Sequence, residues 1–203
     1  MVHWRLTLRN LERDDCQCVA ELARNTGVFR PVELAVLAEV IEEYLRAPGG
    51  EGYYATVAEL KLTADQADSS EYQEVFEDAQ KSLEPVRELT THQVSWFRPG
   101  VAGFVIFGPT PLTVHTWDIY WIAVSRDVQR HGIGSRLLES AEARIRAQRG
   151  KLVRVETSSL PTYEATRRFY EKHGYQRAGV IPDFYADGDD LVIYYKRLPR
   201  LSR

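Results

Sequence analysis

The sequence predicts an α/β sandwich built on a mixed sheet, and three observations lead there. Residues 118–157 read as strand, turn, helix and strand, a βαβ unit whose crossover is right-handed by default. Two amphipathic segments, within residues 13–25 and 34–45, stand in tandem after one opening strand. Short strand-like stretches separated by turn residues fill most of the remainder. At 203 residues the chain is read as one domain, large enough to bury a real core.

Taken in order, Trp4–Leu8 alternates apolar and polar residues and reads as a strand. Cys16, Val19, Ala20, Leu22 and Ala23 fall at helical spacing, and Asn25-Thr26-Gly27 stops that helix. Pro31 suits a first helical turn, and Leu34, Leu37, Ala38, Ile41 and Leu45 carry the next helix to Ala47-Pro48-Gly49-Gly50. Tyr53–Leu62 is the second strand. An acidic insert at about 63–93 follows, in which Tyr72, Val75, Phe76, Ala79 and Leu83 predict a helix over Ser70–Leu83. Val94–Phe107 resumes strand character, broken at Arg98-Pro99-Gly100 and closed by Gly108-Pro109-Thr110-Pro111.

The central strand, Ile119–Val124, leads through the polar turn Ser125–Arg130 to the pair Gly132 and Gly134. Ile133, Leu137, Leu138, Ala141 and Ile145 then lie on one helix face, and Leu152–Thr157 is the returning strand. Pro161 or Thr162 opens a helix that ends at His173, with Gly174 as its stop. Tyr175–Ile181 and Leu191–Arg197 close the chain as strands joined through Asp187-Gly188. The order, read coarsely, is βααββ, the insert, then ββαβαββ, without internal repeats.

Composition removes several classes. A net charge of −3 does not suggest a nucleic-acid binder. No apolar run approaches the roughly 18 residues a membrane helix needs, and Met1–Arg5 lacks a signal-peptide core, so a soluble, cytoplasmic protein is expected. Cys16 and Cys18 stand two apart in a helix with no His or Cys cluster nearby. Neither a disulfide nor a metal site is expected, and both read as small apolar fillers.

The turn before the third helix is a candidate anion site. N–H groups at a helix start have no partner within the helix, and the helix dipole adds about half a positive charge there. Gly132 and Gly134 would let a phosphate approach those donors, with Gln129, Arg130 and Ser135 adding side-chain donors. The glycine pair alone would equally shape an ordinary strand-to-helix turn. A dinucleotide-binding fold fits poorly. Leu137 occupies the third glycine position, and a polar stretch separates strand from glycines where that fold runs almost directly into them.

Spacing decides more than the glycines do. Gln129-Arg130-His131-Gly132-Ile133-Gly134 after Ile122-Ala123-Val124, followed by Thr166–Tyr175 with its Phe169-Tyr170 and Gly174-Tyr175, resembles two ordered motifs of the GCN5-related N-acetyltransferase (GNAT) superfamily. The resemblance covers about residues 95–198 well. It implies a mixed, mostly antiparallel sheet flanked by helices on both faces, and transfer of acetyl from acetyl-CoA to a primary amine, without a metal. It also implies that Gln129, Arg130, His131, Gly132, Ile133, Gly134 and Ser135 hold the pyrophosphate, while the backbone of Ile122 and Val124 pairs with the pantetheine arm.

By the same resemblance Tyr170 is the general acid for the departing thiolate and Asp118 the general base. Asp118 is one methylene shorter than the family's glutamate, so a bridging water is one route. Tyr120, two residues on, is a candidate for shaping the acceptor pocket. Tyr185, within Pro182-Asp183-Phe184-Tyr185, is another, since that stretch is similar to the tail of protein N-terminal acetyltransferases. One departure stands out: Tyr163 replaces an asparagine that contacts the cofactor in many relatives, leaving Glu156, Thr157 or Ser158 to take that part. The insert reads first as a solvated acidic face and second as a lid selecting cationic acceptors. A small-molecule or peptide amine acceptor is expected, with no nucleic-acid or membrane partner, and a homodimer stays open. The alternative is a catalytically silent CoA-binding sensor or scaffold.

Overall fold

Alternate residues of a strand face opposite sides, so a sheet whose strands are apolar on both sides needs helices on both. The computed structural model describes residues 2–50, 52–64 and 100–199. In chain order these form β1 (Val2–Asn10), α1 (Cys16–Thr26), α2 (Pro31–Arg46), β2 (Tyr54–Ala64), β3 (Gly100–Pro109), β4 (Thr116–Val124), α3 (Ile133–Ala147), β5 (Leu152–Ser158), α4 (Glu164–Lys172), β6 (Gln176–Ala186) and β7 (Asp189–Arg197). One sheet runs β1-β2-β3-β4-β5-β7-β6, antiparallel throughout except for β4 against β5.

Seven strands lie among the described residues, two of them before residue 65, where the coarse order had eight with three before the insert. The extra segment expected before Arg98 and the helix expected over Ser70–Leu83 lie outside the described residues. No described helix is long and apolar enough to cross a membrane. Cys16 is half-buried but Cys18 is exposed, so Cys18 fills no apolar gap.

The two faces of β3 show how the sandwich closes. Phe104 and Ile106 meet Val19 and Ala23 of α1 and Leu37, Ile41 and Tyr44 of α2. Val105 and Phe107 meet Leu137, Leu138, Ala141 and Ile145 of α3 on the opposite side. Burying each such aliphatic side chain is worth about 1.5–3 kcal/mol, so both helical layers are held mainly by apolar burial.

The feature that makes room for a site is a pairing slip. Ile106 of β3 stands opposite Trp121 of β4, but the next residue, Phe107, stands opposite Ile119, so Tyr120 is an extra residue in the ladder. Such a bulge bends its strand and sharpens the local twist. On its other edge β4 pairs with β5 only over Thr116–Ile119, against Leu152–Val155. Beyond the bulge the two parallel strands part, which leaves one edge of β4 without a neighbouring strand. Ser125 N–H donates to the Ala102 carbonyl at 2.8 Å. Hydrogen-bonded pairs alternate along an antiparallel ladder, so Ala123 and Trp121 bond to β3 while Ile122 and Val124 present their backbone groups to the gap.

Gly103 explains how close α3 comes to this region. A Cβ there would lie 2.8 Å from the Ala123 carbonyl oxygen and 3.0 Å from Leu137 Cδ1. Gly103→Ala should therefore cost about 1–3 kcal/mol by overpacking, read as a lower Tm in thermal unfolding. An unchanged Tm would mean that α3 shifts freely on the sheet.

Candidate active site

A cleft of about 1860 Å³ opens where β4 and β5 part. That exceeds the roughly 300–1,000 Å³ of common small-molecule pockets, leaving room for a long donor and an acceptor together. Its lining includes Asp118–Val124, Gln129–Arg136, Arg154, Glu156–Ser158, Tyr163, Phe169, Tyr170, His173 and Tyr185. The sequence-predicted site residues thus converge on one cleft.

The start of α3 forms one end. Gly132 caps it with φ +83°, and a Cβ there would meet nothing within 4 Å. The first backbone bond of the helix runs from Arg136 N–H to the Gly132 carbonyl at 3.1 Å, so the N–H groups of Gly132, Ile133, Gly134 and Ser135 remain free of the helix ladder. Together with the dipole, these backbone groups are able to receive an anion. Two side chains expected to assist are turned elsewhere. The Gln129 side-chain amide donates to the Val124 carbonyl at 3.1 Å and braces the turn. The Ser135 hydroxyl lies 2.9 Å from Nε2 of His173, whose Nδ1 is 2.7 Å from the Phe169 carbonyl. His173, which the sequence reading used only as a helix end, ties α4 to the start of α3.

The α3–α4 side of the gap carries Tyr170. It is almost fully buried, packed edge-on to Phe169 and Tyr175 at centroid distances of 5.4 and 5.3 Å. Burial holds its hydroxyl well above the ordinary phenol range, so it stays protonated at neutral pH. Its ring is fixed while its residue lines the cleft.

The α1–α2 side carries the charges. Asp118 is buried, and Arg154 Nε and Nη2 donate to its two oxygens at 2.6 and 3.2 Å. The Thr110 hydroxyl adds a third bond at 2.8 Å. A carboxylate offers about four acceptor positions, so three of Asp118's are filled and its charge is neutralised by a guanidinium. That arrangement suits a structural anchor better than the base the resemblance implied. Arg154 also reaches Glu156, with Nη1 to Oε1 at 3.0 Å, and the Glu156 side chain is 39% exposed. Glu156 therefore keeps an oxygen for cleft chemistry.

Aromatic residues wall this side. Tyr120 sits edge-on to Tyr53 at 5.3 Å, and burial, helped by Asp118, pushes its hydroxyl up to about 12. The Arg30 guanidinium lies 4.9 Å over the Tyr185 ring, and burial with Glu156 nearby raises that hydroxyl to about 12. Phe184, its neighbour in the tail motif, is 53% exposed and does not line the cleft. Tyr163, at the missing asparagine position, donates to the Val28 carbonyl at 2.8 Å and clasps the α1–α2 connection. Arg126 Nε donates to the Thr26 carbonyl at 3.0 Å and fastens the end of α1 to the turn before α3.

With the geometry in place, comparison with known proteins is specific. Residues 92–177 match the family model described as an acetyltransferase (GNAT) domain. A crystal structure assigned to the acetyltransferases of the GNAT family, from Desulfovibrio desulfuricans, is 30% identical, covers 95% of this chain and 98% of its own, and superposes with a TM-score of 0.71. The chain belongs to the GNAT acetyltransferase family. Two further structures share the fold at lower identity. An aminoglycoside 6′-N-acetyltransferase complexed with coenzyme A is 18% identical (97% and 99% coverage, TM-score 0.61). The ribosomal-protein-S18-alanine N-acetyltransferase of Escherichia coli is 17% identical (98% and 96% coverage, TM-score 0.59). No curated protein matches the sequence.

If Arg154 anchors Asp118, Arg154→Met should destabilise the fold by about 1–3 kcal/mol, because it leaves a buried carboxylate without its cation. A double-mutant cycle with Asp118→Asn should return a coupling of at least about 0.5 kcal/mol in denaturant unfolding. Additive effects would show that the pair does not hold the strands together.

Proposed function

We propose that this protein transfers the acetyl group of acetyl-CoA to a primary amine by direct attack on the thioester. The observation that carries the reading is the free edge of β4, which runs straight to the unpaired N–H groups of α3. A pantetheine arm can pair there with the backbone of Ile122 and Val124 like an added strand, while the pyrophosphate takes the N–H groups of Gly132–Ser135. With its carbonyl taken by Gln129, Val124 has its N–H left for the arm. A protein that shares the fold is complexed with coenzyme A, which supports reading the cleft as a coenzyme A site.

Bound acetyl-CoA supplies the activated acyl group; transfer forms an N–C bond, breaks a C–S bond and moves two protons. An alkylammonium titrates near 10, so one proton must leave before attack. We assign that proton to Glu156, directly or through water, since it stands on the acceptor side with an oxygen to spare. Asp118 orients Arg154 and so aims Glu156. The departing thiolate takes a proton from the Tyr170 hydroxyl, which burial keeps protonated. The second proton lost by the nitrogen as the amide forms restores that hydroxyl, leaving amide and thiol with one proton on Glu156. Tyr120 and Tyr185 shape the acceptor pocket. The acceptor is a small-molecule or peptide amine.

Calorimetry with acetyl-CoA, alongside thiol release against a panel of amines, tests the reading. Binding with amine-dependent release supports it, while binding with no release from any amine would favour a coenzyme A sensor. Tyr170→Phe should lower kcat about 100-fold and leave acetyl-CoA affinity within about twofold; equal loss of both would sink the acid role. Glu156→Gln should depress kcat/KM at neutral pH by about tenfold or more and be partly relieved at high pH, where the amine is already neutral. Loss of the same size at every pH would argue against proton removal by Glu156.

A further inference from the structure

Three polar residues, Glu156, Thr157 and Ser158, end β5 beside the gap, and their partners separate them. Glu156 bonds to Arg154 at 3.0 Å. The Ser158 hydroxyl donates to the Asp189 carboxylate and accepts from Leu160 N–H at 3.0 Å. Thr157 is buried, and its Oγ1 has no hydrogen-bond partner among the described residues. Two positions from Val155 and four from Val153, it shares their face of the strand. Both valines pack into the core with α3 and Tyr170. Thr157 thus lines the cleft beside Tyr170 and carries a buried, orphaned hydroxyl just behind that wall.

Such a group is costly to the unliganded fold, because a hydroxyl removed from water without a partner loses its solvation uncompensated. Valine would fill the same space, with the same β-branched preference for a strand and no polar atom. Threonine at this position therefore needs a reason outside the free protein. We infer that the Thr157 hydroxyl donates a hydrogen bond to a carbonyl oxygen of the acylated pantetheine arm, and so fixes where the thioester stops relative to Tyr170. The inference rests on reading the cleft as an acetyl-CoA site. It gives the missing asparagine contact to Thr157 rather than to Glu156, which faces the other side of the strand, or Ser158, whose hydroxyl is engaged by protein groups.

Thr157→Val and Thr157→Ser separate this role from a structural one. Measured without ligand, Thr157→Val should raise Tm by about 2–6 °C, since it removes an unsatisfied group. In calorimetry the same variant should bind acetyl-CoA about tenfold more weakly, while Thr157→Ser stays within about twofold of the wild type. Loss confined to acetyl-CoA assigns the bond to the thioester carbonyl. Equal loss for acetyl-CoA and free coenzyme A assigns it to a pantetheine amide. Wild-type affinity for both ligands in Thr157→Val, or a fall in its Tm, would overturn the inference while leaving the cleft's reading intact. Failure of the wild-type protein to bind acetyl-CoA would refute the reading of the cleft and this role with it.

Discussion

The cleft depends on one of the register slips in the sheet, the one in β4. With Tyr120 inserted as an extra residue opposite β3, the second half of β4 turns away from β5, and the parallel pair ends at Ile119 and Val155. Sheets ordinarily satisfy both edges of an interior strand, so this edge of β4 is an exception inside the sheet, not at its margin. The groups it leaves over are backbone groups at fixed spacing, suited to an extended ligand.

The gap also sorts the chemistry by side. Tyr170 and Thr157 belong to the α3–α4 side, where Tyr170 packs with Val153, Val155 and the core face of α3. Asp118, Arg154, Glu156, Tyr120 and Tyr185 belong to the α1–α2 side, where ion pairs and phenols dominate. In the proposed reaction a donor lying in the gap would meet an acceptor arriving from the charged side, with Tyr170 opposite. The clasps from Arg126 to Thr26 and from Tyr163 to Val28 bind the α1–α2 connection to the turns before α3 and α4, so the two halves keep a fixed spacing.

Much of this was legible in the sequence, because the determinants are local. The apolar run Ile119–Val124, the glycines at 132 and 134 and the helical spacing after them specify strand, turn and helix through nearest neighbours alone. Gly27 and Gly174 stop their helices with left-handed φ values, as their positions suggested. What the sequence hid depends on pairing between distant segments. The slip at Tyr120 exists only in the register of β3 on β4. Arg154 became Asp118's partner because the two are directly paired across β4 and β5, a contact no spacing rule could assign. Gln129 and Ser135 carry the donors the turn was expected to use, yet their side chains satisfy protein atoms first. The choice among Glu156, Thr157 and Ser158 needed the strand's facing and its partners as well.

If the free edge of β4 is the proposed binding surface, acetyl-CoA should cover it. Amide hydrogen exchange followed residue by residue, with and without saturating acetyl-CoA, tests it most directly. The amides of Ile122 and Val124 should slow by at least about tenfold on binding, together with those of Gly132–Ser135, while Trp121 and Ala123, already bonded to β3, should change little. Protection confined to the start of α3, with Ile122 and Val124 exchanging as before, would contradict it.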